Sequence, residues 1–318
     1  FVRNLRESNA GGTPLPLSSN PNIEIERYSH TFRYLTRHEK TKHGFSGTIG
    51  FEGVFEEQES RGPTGLTPGG DIANVALFGL ERWEKGPFSV EAGLRHDLRW
   101  QEALQSDTAD KSLLDRDGDG TVELDTTQNY SVTTASLGAV YQFSDQLSFA
   151  SNIGRAYRAP TLFELYVNGQ HGGVAAVQRG DPDLEEERSL NTDFQVRWRS
   201  EQVDFTATAY RNQIDDYIFQ RDTGNTIGGL SEFQVDQEDA ELYGVDFEAR
   251  YRPSERWEMR AVYELVRGDF DNNGNDVPLL PADKLTLEAE HQLDGFGSVR
   301  NPYINAKVIH AFSKDAAG

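Results

Sequence analysis

The chain has 318 residues, a formal net charge of -21, 36% apolar and 11% aromatic residues, and no cysteine. The acidic balance excludes the basic footprint that nucleic-acid binding needs. The missing cysteines exclude a disulfide framework and thiolate metal sites, and aromatic residues along the whole length exclude wholesale disorder.

No apolar run approaches the ~20 residues of a membrane helix, so a membrane role would have to be carried by alternating strands. The first clear alternation is at 45–55, where Phe45, Ile49, Phe51 and Phe55 share a face. Over 88–100, Phe88, Val90, Ala92, Leu94, His96, Leu98 and Trp100 alternate with Ser89, Glu91, Gly93, Arg95, Asp97 and Arg99. At 152–158 a strand starts and then stops at Ala159-Pro160, since Pro160 lacks an N–H and restricts the residue before it. Alternation resumes at 190–200 (Leu190, Thr192, Phe194, Val196, Trp198), 243–251 (Tyr243, Val245, Phe247, Ala249, Tyr251) and 257–265 (Trp257, Met259, Ala261, Tyr263, Leu265). One apolar and one polar face is what a pleated strand between two media requires.

The connections alternate in length. Short turns fall at 84–87, 144–146, 200–202 and 253–255, and long polar loops at about 59–71, 102–127, 158–188, 222–231 and 270–282. About 12 strands are expected between residues 21 and 312, with no helix of note. They run about 12–18 residues each, against ~5–6 in soluble sheets. A soluble sandwich also alternates, so the decision rests on strand length and on loops segregated to one rim, which is the outer-membrane pattern. Trp83, Trp198 and Trp257 lie close to short turns, where an interfacial girdle belongs. The expected fold is all-β, an antiparallel up-and-down transmembrane β-barrel.

The stretches NIGRAYRAPTLFELY, DPDLEEERSLNTDFQVRW, AYRNQIDDYI, ELYGVDFEARYRPSERW and VPLLPADKL, in this order and spacing, resemble the second half of a TonB-dependent outer-membrane receptor barrel. The resemblance runs along residues 43–312 and is nearest to the zinc-uptake branch. There, ELYVNGQH sets His171 soon after ELY, and GFSGTIGFEG and VEAGLRHD sit in matching places. It implies a 22-stranded barrel with a plugged lumen in the outer membrane of a Gram-negative bacterium. Residues 1–318 are then expected to be a partial barrel of about 12 strands, a fragment without the plug domain or the terminal strands. The implied function is active import of a scarce metal ion, zinc favoured, or of a metal chelate such as a siderophore. The implied partners are the TonB energy-coupling complex acting through the plug, outer-membrane lipid, and the metal ion or chelate itself.

Candidate sites follow. Asp115, Asp117, Asp119, Thr121, Glu123 and Asp125 lie in DRDGDGTVELD, which matches the start of a calcium loop, with Gly120 at the sharp turn. The twelfth position is Thr126 rather than Glu, and no helices flank the loop, so Ca2+ here would be a structural ion outside any EF-hand. Calcium is expected to order this loop; equal protease sensitivity with calcium and with a chelator would dismiss the idea. Asp269, Asp271, Asn273 and Gly274 form a weaker copy that also suits an ordinary hairpin loop. His171, with Glu164, Asp181 and Asp183 along the same loop, suits a transported Zn2+, whereas Arg158, Phe163, Tyr166 and Arg179 suit a chelate. His38 and His43 fall on a short turn among Arg37, Lys40 and Lys42, which repel a cation, and His96 lies on the apolar face near its outer end.

No Ser/His/Asp set, glycine-rich phosphate loop or HExxH motif is present, so the chain is not expected to be an enzyme. The reading from another class is a calcium-dependent surface adhesin or other non-transport β protein. That chain would be soluble without detergent.

Overall fold

The computed structural model describes residues 24–61, 66–104, 114, 125–171, 173–272 and 274–313. The chain folds as β1 (Glu24–His38), β2 (Phe45–Arg61), β3 (Gly69–Lys85), β4 (Phe88–Leu104), β5 (Thr127–Gln142) and β6 (Leu147–Arg158). A short helix α1 (Leu162–Tyr166) and two small strands, β7 (Asn168–His171) and β8 (Ala176–Arg179), follow. Then come β9 (Glu187–Arg199), β10 (Val203–Ile227), β11 (Leu230–Ser254), β12 (Trp257–Phe270), β13 (Lys284–Gln292) and β14 (Tyr303–Ala311). Twelve long strands lie in sequence order in one antiparallel sheet, interrupted in sequence only by β7 and β8. This is the up-and-down barrel wall, and its strand number matches the alternation count. Among the described residues, β1 pairs only with β2 and β14 only with β13.

The register fixes two faces. Arg33, Glu52, Ala76 and Asp97 are successive cross-strand partners on one; Tyr34, Phe51, Leu77, His96 and Thr133 are successive partners on the other. Burial along them is inverted relative to a soluble protein. Asp97 and Glu52 are 3% and 7% exposed, while Leu77 and Leu94 are each 60% exposed. Charged side chains are buried only when paired, and here Arg95 donates to Asp97 (2.8 Å) and to Glu52 (3.0 Å), with Arg33 also on Glu52. The polar side is therefore the inner face. The Phe, Leu and Tyr face is one that water would not cover at this extent.

Three sequence expectations need correction. The stretch 222–231 is not a loop: β10 runs to Ile227 and β11 starts at Leu230, leaving Gly228 and Gly229 (φ 59 and 84) as a two-residue hairpin turn. The 158–188 segment is structured, with one helical turn and a β7–β8 hairpin that joins β11 in parallel. On the rim of short turns, residues 293–302 make a longer connection between β13 and β14.

The loop rim has its own apolar core. Leu66, Ala103, Leu114, Leu162, Leu165, Tyr166, Val167, Leu184, Ile218 and Val235 form one buried cluster. It draws on the β2–β3, β4–β5 and β6–β9 connections and on the β10–β11 hairpin, so these loops are packed against one another. Glutamines on the wall pin them. Gln58, Gln101 and Gln128 donate to the carbonyls of Pro68 (2.8 Å), Pro160 (3.1 Å) and Pro182 (3.3 Å). Such carbonyls need partners once buried.

Candidate functional site

The site is built where β6 leaves the wall. Arg158, its last residue, donates to Glu187 (2.7 and 2.8 Å) and to Glu164 (2.8 and 3.0 Å). Two-pronged guanidinium–carboxylate pairs fix orientation as well as distance. Glu187 Oε1 also accepts from the Ile218 amide at 2.7 Å, so one arginine ties β6, α1, β9 and β10 together. Pro160 then ends the ladder, and Thr161 starts α1 with a reciprocal capping box: its hydroxyl accepts from the Glu164 amide, and the Glu164 carboxylate accepts from the Thr161 amide. Tyr166 closes the helix, fully buried, donating to the Asp125 carbonyl at 2.7 Å; burial pushes its phenol up to about 12.

Beside this scaffold lies an open pocket of about 570 Å³, within the range of ligand sites. Its walls are aromatic and aliphatic: Phe163, Tyr217, Phe219 and Val235, with Val174 and Leu279 among the remaining lining residues. The Tyr217 and Phe219 rings are near parallel (11°), and Phe219 packs on Phe270 at 4.5 Å. A bulge at Asp216 (φ 58) shifts the β10–β11 register just before Tyr217, and bulges commonly re-aim side chains.

His171 lines the same pocket. Its ring meets Phe163 edge-on at 6.4 Å, and Nδ1 lies 2.7 Å from Gln178 Oε1. Gln178 Nε2 donates onward to Gln220 Oε1 (2.7 Å). Gln178 Oε1 only accepts, so His171 Nδ1 is the donor in this pair.

The structure does not gather the rest of the expected zinc set around His171. Glu164 is engaged by Arg158 and the α1 cap. Asp181 accepts from the Asp183 amide at 2.9 Å, making the turn that its Asp-Pro-Asp sequence suggests. Among the described residues no three His, Asp or Glu side chains are arranged to hold a metal ion.

Of the expected calcium loop, Asp115, Asp117, Asp119, Thr121 and Glu123 lie outside the described residues. Asp125 is described, and its carboxylate accepts from the Thr127 amide at 3.0 Å, where the chain enters β5. In the weaker copy, Asn273 lies outside the described residues; Asp271 donates its amide to the Asp239 carbonyl, and Gly274 takes φ 67. His38 pairs with Glu81 (3.0 Å) beside a short turn, on the rim opposite the pocket. His96 sits exposed on the apolar face, 2.9 Å from the Thr133 hydroxyl.

Sequence reading missed Tyr217, Phe219 and Gln178. The first two lie in alternation with Asp215 in AYRNQIDDYIF, which was legible. Gln178 had no local signal, because its role depends on the β7–β8 pairing.

The inner face beneath the rim forms a second hollow of about 960 Å³, whose walls include Arg95, Asp97, Arg99 and Phe78. The Arg95 guanidinium stands 5.5 Å from the Phe78 ring. A polar inner wall below an aromatic outer pocket suits capture at one end and passage past charged side chains.

The sequence profile described as "TonB dependent receptor-like, beta-barrel" matches residues 4–314. Among curated relatives, a vitamin B12 transporter of Photobacterium profundum is 26% identical over 136 residues, 42% of this chain and 21% of that protein. Heme/hemopexin utilization protein C of Haemophilus influenzae is 24% identical over 173 residues, 48% of this chain and 24% of that protein. The chain thus spans about a quarter of the curated relatives it matches. Among solved structures, the copper transporter OprC superposes with TM-score 0.70 at 17% identity, covering 88% of this chain and 43% of that one. The hemophore receptor HasR of Serratia marcescens, solved with its hemophore and heme, gives 0.65 at 15% identity, covering 85% and 50%. At these identities the structural likenesses concern the fold.

Proposed function

This chain belongs to the TonB-dependent receptor β-barrel family, and on that premise we propose that it is the capturing wall of a receptor importing a metal chelate. The family's members are outer-membrane transporters, not enzymes. The outer-rim pocket captures the chelate, and the polar inner face passes it once a TonB-coupled plug moves. The observation that carries this reading is the pocket itself: one oriented imidazole, His171, among aromatic walls. A bare zinc ion takes four ligands or three and a water, and the described residues present no such group. A chelate brings its own ligands and needs walls, with at most one further donor. Heme and vitamin B12, the cargoes named for two relatives, are chelates of this kind. Calcium held by Asp115, Asp117, Asp119, Thr121, Glu123 and Asp125 is proposed as a structural ion of the neighbouring loop, on its sequence motif.

The test uses metal-starved cells carrying or lacking the native gene, supplied with hemin, cyanocobalamin, a ferric catecholate or zinc chloride. The gene is expected to support uptake of at least one chelate, and His171→Ala to lower it about tenfold at limiting concentration, the loss of one donor bond worth about 1.4 kcal/mol. Gene-dependent uptake of zinc alone would replace the chelate reading with the ion reading. No gene-dependent uptake of any of the four would end both.

A further inference from the structure

The chain carries a net charge of -21, yet the hollow on its inner face is lined by five arginines and two carboxylates. Most of that excess is compensated locally. Arg33 and Arg95 share Glu52, and Arg95 also holds Asp97. Arg158 is taken by Glu164 and Glu187. Arg155 belongs by register to the outer face, in the row of Leu190 and Gln213. Arg99 is different. It lies half-buried on the inner face, cross-strand from Asn74 and Tyr130. Among the described residues its guanidinium pairs with no carboxylate and meets the neutral amide oxygen of Gln101 (3.2 and 3.4 Å).

That amide is fixed in place. Gln101 is 1% exposed, and its Nε2 donates to the Pro160 carbonyl at 3.1 Å, so Oε1 is the atom turned to Arg99. The glutamine orients the guanidinium without neutralising it. Arginine does not deprotonate in proteins, and a charge drawn away from bulk water is costly until a counter-charge meets it. The hollow also adjoins the rim pocket. Arg158 lines the hollow, Glu164 lines the pocket, and the two are 2.8 Å apart.

We infer that Arg99 is a second binding point for the cargo, a subsite that takes an anionic oxygen group of the chelate, such as a carboxylate, as it passes inward from the rim pocket. This rests on the chelate reading above and adds the charge of the chelate. The planar fork of a guanidinium matches the two oxygens of a carboxylate. A neutral chelate gains nothing there, and a free cation is repelled. Arg27 is the contrast: it too meets a neutral amide, Gln58 at 2.6 Å, but it does not line the hollow.

The subsite is tested in the full-length native gene product purified in detergent. The probes are hemin, hemin dimethyl ester, a ferric catecholate and the electrically neutral cyanocobalamin, with absorbance as the readout. The parent is expected to bind hemin or the ferric catecholate, and Arg99→Gln to weaken that binding about tenfold, the loss of one charge-assisted pair. Arg99→Lys should keep most of the affinity and Arg27→Gln all of it. Where hemin is the bound probe, esterifying its carboxylates should cost the parent the same factor, and Arg99→Gln should bind hemin and its ester alike. The ester comparison in the parent holds even where a variant does not assemble.

Parent-like binding of the anionic probe by Arg99→Gln overturns the subsite; a drop in thermal stability alongside it assigns Arg99 to a carboxylate of the plug instead. Equal affinity of the parent for hemin and its ester overturns it, as do equal losses in Arg99→Gln and Arg27→Gln, which report the general charge of the wall. A parent that binds cyanocobalamin alone overturns the anionic cargo and leaves the chelate reading standing. A parent that binds none of the four overturns the reading and the subsite together.

Discussion

Replacing Leu165 by alanine is expected to release the outer-rim loops while leaving the barrel wall in place. Leu165 is fully buried in α1, within the cluster that joins three connections to the β10–β11 hairpin. Truncating a buried leucine costs about 2–5 kcal/mol, the spread reflecting how well the site collapses. Collapse is poor here, because α1 is held at both ends. Thr161 and Glu164 cap its start, and at its end the Gly180 and Asp181 amides donate to the Val167 and Glu164 carbonyls (2.6 and 3.0 Å). The cost falls near 3 kcal/mol, which loops with little other buried surface do not withstand. Hydrogen exchange should show amides in 159–186 losing protection while β9 keeps its own. Gly180→Ala should give the same pattern by another route, since a Cβ there would sit 2.7 Å from the Glu164 and Leu165 backbones. Unchanged protection in both variants would mean that the apolar cluster does not hold the rim. Ile218 and Val235 belong to both cluster and pocket, so the Leu165 variant should also lose chelate binding.

The wall was legible because its periodicity is simple. Phe194 and Gln195 point to opposite sides for the same reason that any neighbours in a strand do, and the register confirms those faces from β1 to β14. The rim was less legible for three separate reasons. The segment 222–231 reads as a loop by composition, yet Gly228-Gly229 is a two-residue turn and the polar residues around it are paired strand. Polar residues in strands beyond the membrane have no apolar medium to alternate against, so the period disappears. The Arg158 hub was invisible because Glu164 and Glu187 meet it only after α1 folds back. The expected zinc set does not converge among the described residues for a related reason. His171, Asp181 and Asp183 are close in sequence, but an Asx turn occupies Asp181 and the β7–β8 pairing turns His171 toward Gln178. Proximity along a loop says little about convergence once the loop has secondary structure.

On the proposed reading, capture and passage would use different surfaces of the fold. The inner face holds its charges in pairs such as Arg95 with Asp97 and Glu52, whose partners compensate them.

Phe194→Arg should block assembly of the receptor, whereas Gln195→Arg, one residue on, should be tolerated. Phe194 is 49% exposed, pairs with Ser151 and Ala209, and stacks on Phe149 at 6.2 Å. Its row lies between Trp198, near a short turn, and the row of Ile153, Thr192 and Arg211, where charge first returns to the outer face. That places it within the apolar band, where an arginine facing lipid costs up to about 2–4 kcal/mol. Gln195 faces inward, donates to the Thr208 hydroxyl at 3.2 Å and neighbours Asp193 along the strand. An arginine there loses one neutral hydrogen bond and gains nearby carboxylates, a change within about 0.5–1 kcal/mol. The measurement is the fraction of the native gene product in the compact, heat-modifiable form on unboiled gels. Both variants assembling equally would mean that Phe194 does not face lipid; failure of Gln195→Arg alone would reverse the two faces. The expected order, with Phe194→Arg failing and Gln195→Arg assembling, separates a membrane wall from a soluble sheet, in which an exposed phenylalanine accepts arginine without penalty.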